Sequence, residues 1–467
     1  MPIKKYVSRD VLIILLIFVI SRIIAGLMGI QFNIDPLRWY WQYLSMETLQ
    51  HHLLLGVWYD HAQPPGFNLL LGIVMKLAGD NMSIVFSLLL KAITLGNVFL
   101  LLSILKKLTT NSYLPLSFCL LYLLSPATLI FEVELFYTTY VSFLLLLSMF
   151  FLLRFQQRKT WLFALGFYLP LAILCLSRNM YHLIWLILLT VPVIYYYKNK
   201  EGSRKLFFVA SVSILMVTGL YLKNYILFDS FSSSTWLGMN LAKNVFHDAG
   251  ITDSSHIEAY FPFSNIQVYK KFISGDWEKR FAGINDRDLL NATKTSGFPN
   301  EHQINYIEVS KKYEEACKQY IRLKPGKFVQ NSMESAVIFF TPATIYTLRV
   351  NEVKKIEYYD IAYSFNLSHF FSGVQGRRVA IAISAIPKLV IYLFAFFFLI
   401  RASIKTKSIS LLNQIIFITI AFVFLTSSVF EHAENMRFRY EIEPLFLILL
   451  AQVLDALLIK YRTKKGL

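Results

Sequence analysis

Charge is scarce in this chain, and lopsided where it occurs. Only 16% of the 467 residues are charged, against about 25% in a soluble globular protein. That shortage excludes an ordinary soluble domain, and 56% hydrophobic residues describe a polytopic membrane protein instead. Acids are the rarer sign, 29 against 46 lysines and arginines, for a formal charge of +17. Such a balance raises nucleic acid as a partner, but the cations fall in short loops between apolar runs, where membrane orientation accounts for them. No nucleic-acid partner is expected. Three cysteines, Cys119, Cys175 and Cys317, form neither a disulfide framework nor a metal motif. A Gly-rich phosphate loop, a Walker motif and a dinucleotide fingerprint are all missing, which argues against a bound nucleotide. Internal repeats, low-complexity tracts and Pro/Gly/Ser-rich linkers are missing too.

What is present is a series of apolar runs near 11–30, 83–105, 112–130, 138–154, 160–177, 181–197, 205–226, 379–401, 408–430 and 442–459. A crossing needs about 17–25 residues, so the fold class expected is all-α integral membrane, with about ten transmembrane helices. The first run follows Lys4, Lys5 and Arg9 without a small-residue cleavage site and is read as a retained span. With the N-terminus inside, the turns Lys106-Lys107, Arg154 to Lys159, Lys198 to Lys205, Arg401 to Lys407 and Lys460 to Lys465 are cytoplasmic. All are basic, as the positive-inside rule requires.

Three regions follow from this count: an N-terminal module 1–226 with a first outer loop at 31–82, an extracytoplasmic stretch 227–378, and C-terminal helices 379–467. The run 66–79 is too short to span and reads as a juxtamembrane helix in the interface. The run 332–350 would invert the basic loops if it crossed, so a buried or interfacial helix is expected there. The rest of 227–330 is polar and charge-mixed and reads as a small subdomain. Sequons occur at Asn81, Asn291 and Asn366.

Four clusters fall on the predicted outer side. The first loop carries Asp35, Glu47, His51 and His52, and ends in Asp60-His61-Ala62-Gln63-Pro64-Pro65. The next turn is Phe131-Glu132-Val133-Glu134-Leu135-Phe136-Tyr137, the third Ser177-Arg178-Asn179-Met180-Tyr181-His182, and the last Glu434-Asn435-Met436-Arg437-Phe438-Arg439-Tyr440-Glu441. Acids and imidazoles are costly near a bilayer, and outer arginines run against the positive-inside bias. Acids on two early loops and arginines on two later ones read as halves of one site. Asp286-Arg287-Asp288 imitates a metal-binding Asp-x-Asp but lacks its nucleotide-binding fold, so it reads as surface charge; His51-His52 lacks ligand spacing. No residue is assigned to a metal.

One carboxylate plus arginines at the membrane surface suits transfer of a sugar from a lipid phosphate. The leaving group is already a weak base, so no second acid is required, unlike glycoside hydrolysis. A single base deprotonates the acceptor, while cations hold the phosphate as its charge grows. Arginine's planar fork matches phosphate oxygens.

Together, the loop 35–65 with its HAQPP ending, the FEVELFYTTY turn and the ENMRFRYEIEP turn resemble bacterial GT-C membrane glycosyltransferases. Within that class the chain resembles the protein-mannosyltransferase-like and aminoarabinose-transferase-like group (glycosyltransferase family 39-like). The likeness covers the N-terminal third and the last outer turn, and is weaker over 227–378. It implies a polyprenyl-phosphate-linked sugar donor, a glycan, lipid or protein acceptor, and inversion at the sugar. It places the catalytic base on Asp35 and the second-loop acid on Glu132, with Glu134 as a near alternative. Arg437 and Arg439, with Arg178, would hold the donor phosphate, and Asp60, His61 and Tyr137 would shape the acceptor side. The usual Asp-Glu pair reads Asp35-Pro36 here, so one acid of that pair is missing. No cofactor is firmly implied, and a divalent metal is left open. The resemblance implies a bacterial inner membrane, and the basic turns put both termini in the cytoplasm. The alternatives are a transporter or flippase for a lipid-linked or small solute, and a polysaccharide polymerase or ligase. Paired repeats and broken mid-membrane helices would mark the transporter.

Overall fold

The computed structural model describes residues 9–247, 279–281, 283–284, 287–371, 374–406 and 409–465. Regular structure among these is helical, apart from isolated bridges at Asn33–Glu134 and Thr293–Pro299. Seven stretches among the described residues are long and apolar enough to cross a membrane: Arg9–Leu27, Gly66–Leu108, Thr138–Gln157, Ser203–Phe228, Arg378–Lys405, Leu411–Phe430 and Glu443–Lys465. The remaining predicted spans are shorter apolar helices, Leu114–Leu124, Trp161–Ser177 and Leu183–Tyr197. The run 112–130 is not one rod. Ser125 is extended and Pro126 opens a new helix, Pro126–Phe131, because proline disfavours helical backbone at the residue before it.

The stretch Gly66–Leu108 likewise contains two helices, Gly66–Ala78 and Met82–Leu108, separated by a tight turn at Gly79–Asn81. Gly79 adopts φ 53° there, a conformation that suits glycine. At about 1.5 Å per residue, the first of these helices reaches only about 20 Å, short of a bilayer core of about 30 Å. It packs on the helices Met46–His51, Leu53–Tyr59 and Trp161–Ser177. The run 332–350 is also interrupted. Its helix, Pro325–Phe339, ends before Pro342, and only a turn at Ala343–Ile345 follows before Val350.

The basic turns gather at one end of the bundle. Lys107 donates to the Leu153 carbonyl at 2.7 Å and Lys205 to the Lys159 carbonyl at 2.6 Å. Backbone N–H groups of Thr110 and Asn111 each meet Asp455 at 2.9 Å. The four clusters predicted to be outer lie at the other end.

The described residues of 227–378 pack against that second end. Trp236, Met239, Val245, Val309, Tyr313 and Cys317 form a small core around Ala62 of the first loop. Val353 and Ile356 pack with Ala25 of the first helix and Ile130. Asn366 is buried and donates its side-chain amide to Asp360 at 2.7 Å, so that sequon offers no accessible nitrogen, whereas Asn81 and Asn291 are exposed.

Gly238 shows how tightly the helix Leu237–Val245 meets the helix Tyr306–Leu323. A Cβ at this position would lie 1.9 Å from the Ser310 carbonyl oxygen, and the Gly238 N–H bonds the Ser310 hydroxyl at 3.1 Å. Backbone cannot swing aside as a side chain can. Gly238→Ala is therefore expected to cost at least the about 1–3 kcal/mol of core overpacking, read as a lowered thermal midpoint in detergent. An unchanged midpoint would contradict this packing.

Candidate functional site

The ends of several helices enclose a cavity of about 370 Å³. Its walls come from every part of the chain: Trp41, Gln42 and Gln63 of the first loop, Tyr137, Arg178 and His182, the segment Ser232–Ser234, Asn240 and Lys243 of the helix Leu237–Val245, and Glu431, Glu434, Arg437 and Phe438. Its rim includes Ile184, Phe231 and Leu237, which are 60%, 57% and 47% exposed. A charged interior thus opens through an apolar mouth.

The charges inside are paired. Arg178 meets Glu441 at 2.5 Å, with both side chains buried, and its guanidinium lies between the rings of Tyr137 and Phe438, at 4.2 and 4.6 Å. Arg437 pairs with Glu434 and stacks on Phe136 at 4.2 Å. Lys243 lies 3.1 Å from Glu431 and 4.0 Å from Glu434. Breaking one partner of a buried pair costs about 3–5 kcal/mol, because the other charge stays buried. Burial, opposed by Lys243 and reinforced by Glu434, pushes the Glu431 carboxyl up to about 7. Burial also works against ionised Glu434, but Arg437 and Lys243 outweigh it and hold that carboxyl below its usual range.

Nε of Arg178, Nε of Arg437 and Nε2 of Gln63, on residues that line the cavity, are themselves buried and make no hydrogen bond. Two guanidiniums, an ammonium and the Gln63 amide on one lining suit the cavity to a ligand rich in acceptor oxygens.

The predicted site residues are distributed unequally around it. Tyr137, Arg178 and Arg437 line the cavity, and the Tyr137 hydroxyl donates to Gln42 at 2.8 Å. Arg439 does not line it. Two residues along a helix point about 200° apart, so Arg439 faces away and pairs with Glu443, near Tyr392 and the Thr341 carbonyl. Asp35 is exposed at the start of the helix Pro36–Trp39, outside the cavity lining, with Pro36 in the first turn and no side-chain cap bond. Glu132 is held by Arg22 of the first helix at 2.7 Å and lines a different cavity, of about 430 Å³, with Lys91 and Ser87. Glu134 is buried behind the site, accepting from the Thr347 hydroxyl at 2.6 Å; burial raises its carboxyl.

Asp60 and His61 form a joint. The Asp60 carboxylate accepts from Asn68 at 2.9 Å and lies 3.2 Å from His302, and its carbonyl takes the Lys223 ammonium at 2.7 Å. His61 spans the Thr235 hydroxyl at 2.8 Å and the His302 carbonyl at 3.0 Å. These bonds tie the first loop to the stretch 227–378, and of the Asp60-to-Gln63 motif only Gln63 reaches the cavity. Asp288, read from sequence as surface charge, is buried and accepts the Ser45 N–H at 2.9 Å; Asp286 lies outside the described residues.

Sequence reasoning passed over Gln42, Lys243 and Glu431. Asn240 and Lys243 are three residues apart in a short helix and so share a face, which was the available signal for Lys243. No local signal marks Glu431 or Gln42. No protein-family model matches the chain, and curated proteins and solved structures likewise give no match.

The joint carries its own pH signature. Burial pushes the His61 imidazole from 6.5 down to about 3, against the pull of Asp60. Below about pH 6.5 the unfolded chain takes up a proton that folded His61 refuses, so this contribution to stability is lost as pH falls from there toward 3. The thermal midpoint in detergent should therefore fall more steeply between pH 6.5 and 4 in the native chain than in His61→Asn. Parallel curves would dismiss His61 as the acid-sensitive group.

Proposed function

We propose that the protein is a glycosyltransferase, moving a sugar from a polyprenyl-phosphate donor to an acceptor hydroxyl or amine with inversion. The observation that carries this reading is the grouping of Arg178, Arg437, Lys243 and Gln63 on the lining of one cavity with an apolar mouth. A sugar phosphate supplies the acceptor oxygens, and a polyprenyl chain suits the mouth formed by Ile184, Phe231 and Leu237. The same reading takes the three shorter apolar helices as spans, ten in all, puts the cavity on the extracytoplasmic side of a bacterial inner membrane, and keeps both termini cytoplasmic.

In the proposed reaction the acceptor oxygen or nitrogen bonds to the anomeric carbon as the bond from that carbon to the phosphate oxygen breaks. The acceptor's proton passes to a carboxylate, and the polyprenyl phosphate leaves with the electron pair. Arg178, Arg437 and Lys243 stabilise the phosphate as charge builds on it. Two carboxylates line the cavity, Glu434 paired with Arg437 and Glu431 with Lys243; Glu431, whose carboxyl is raised to about 7, is the better-placed base. The resemblance assigns that role to Asp35, which would need to be carried inward by movement of the first loop.

Purified protein with radiolabelled polyprenyl-phosphate sugars should release polyprenyl phosphate. Glu431→Gln should lower kcat by about 10²–10⁴, the usual worth of a general base. Arg437→Lys should lower kcat/KM for the donor by about 10²–10³. If Asp35→Asn instead abolishes turnover while Glu431→Gln retains it, the base is Asp35. Failure to release lipid phosphate from any such donor would defeat the transferase reading.

A further inference from the structure

Behind the wall formed by Lys243 and Glu431 lies a second group of side chains. His247, just past the helix Leu237–Val245, Glu334 of the helix Pro325–Phe339, and His432, in the turn after the helix Leu411–Phe430, each present a ligand atom, all within 4.8 Å of one another. The two imidazole rings are stacked, with centroids 3.3 Å apart. All three residues are half-buried, not sealed in the core.

We propose that His247, Glu334 and His432 bind one divalent transition-metal ion of the zinc class. Two imidazoles and a carboxylate are a recognised zinc donor set with a fourth position left to water. Calcium and magnesium prefer all-oxygen shells, which the histidine pair does not provide.

The surrounding framework holds these ligands in place independently. Asn244, fully buried and three residues before His247, donates to the Ser428 and Val429 carbonyls at 3.1 and 3.0 Å, on the segment that leads to His432. Asn244 also donates to the Ser332 hydroxyl at 3.1 Å, accepts from Ser335 at 3.1 Å, and its carbonyl accepts from Asn331 at 2.8 Å. One asparagine thus fixes the spacing of all three ligand-bearing segments. Glu334 further accepts from the Gln330 amide at 3.1 Å, the kind of outer bond that orients a ligating carboxylate.

The ion would act on the cavity through its wall. The backbone N–H of His432 donates to the Glu431 carboxylate at 3.1 Å, and Lys243 lies one helical turn before His247. Joining the three segments through a metal holds Lys243 and Glu431 at their observed separation. His247, Glu334 and His432 are positioning residues, and the metal site does not depend on the identity of the ligand in the cavity.

The test uses the full chain in detergent, stripped with chelator and titrated with Zn²⁺ alone or Co²⁺ alone, with metal content measured by mass spectrometry after gel filtration. The native chain should retain about one Zn²⁺ per molecule, show ligand-field bands with Co²⁺, and gain thermal stability on Zn²⁺ addition. Glu334→Gln and His432→Ala should each weaken Zn²⁺ binding by about 100-fold or more, with gel-filtration profile and helical circular dichroism unchanged. Because Glu334→Gln is isosteric and half-buried, it tests the site even if His432→Ala fails to fold. Retention of metal by Glu334→Gln at native affinity, or no stoichiometric metal in the native chain, would overturn the proposal. Since metal is counted without substrate, either failure leaves the transfer chemistry standing, and a failed transfer assay leaves the metal site standing.

Discussion

One buried ion pair sets the geometry of this end of the molecule. Arg178 follows directly after the helix Trp161–Ser177, and Glu441 closes the short helix Asn435–Glu441; both are buried and meet at 2.5 Å. Removing either leaves a charge without water or partner, so the two segments are held together. The Glu441 carbonyl also accepts the Ser142 hydroxyl at 2.8 Å, locking the short helix to a third element. Arg437 lies one turn before Glu441, on the same helical face, and so is turned toward the same interior. Fixing Glu441 aims Arg437.

The same economy explains the first loop. Acids and imidazoles crowd it, and the densest group, Asp60-His61, serves to bind loop to loop. Asp60 gathers Asn68, His302 and Lys223, while His61 reaches Thr235 and the His302 carbonyl. With those demands met, Trp41 stacks on Trp236 at 5.0 Å, and Gln42 and Gln63 are presented to the cavity. Polar residues near a membrane are under pressure to be used, as the sequence suggests. Pairing among themselves is one such use.

Much of the architecture was legible. Apolar runs and basic turns give a helical membrane protein with its basic loops at one end, and contacts such as Lys205 with Lys159 agree. The apolar run 66–79 was recognised as too short to cross, from its length and from Gly79-Asp80-Asn81. Breaks such as Ser125-Pro126 were visible as residues but hidden inside an otherwise continuous apolar run. Of the residues singled out from sequence, Tyr137, Arg178 and Arg437 line the candidate cavity; the two arginines were legible because arginines on loops predicted to be outside stand out. Arg439 was grouped with Arg437 because neighbours in sequence look alike; helical rotation separates them.

Hydropathy and charge patterning by themselves determined the class of molecule and the end at which its polar residues meet, since these depend only on the cost of moving each side chain out of water. They also reduced the chemistry to carboxylates and guanidiniums on a few loops. Which carboxylate is tied to Arg22, which to Thr347 and which to Lys243 was decided by tertiary structure alone. A side chain's partner depends on helix rotation and on contacts between residues hundreds of positions apart, and neither is written in the local order of residues.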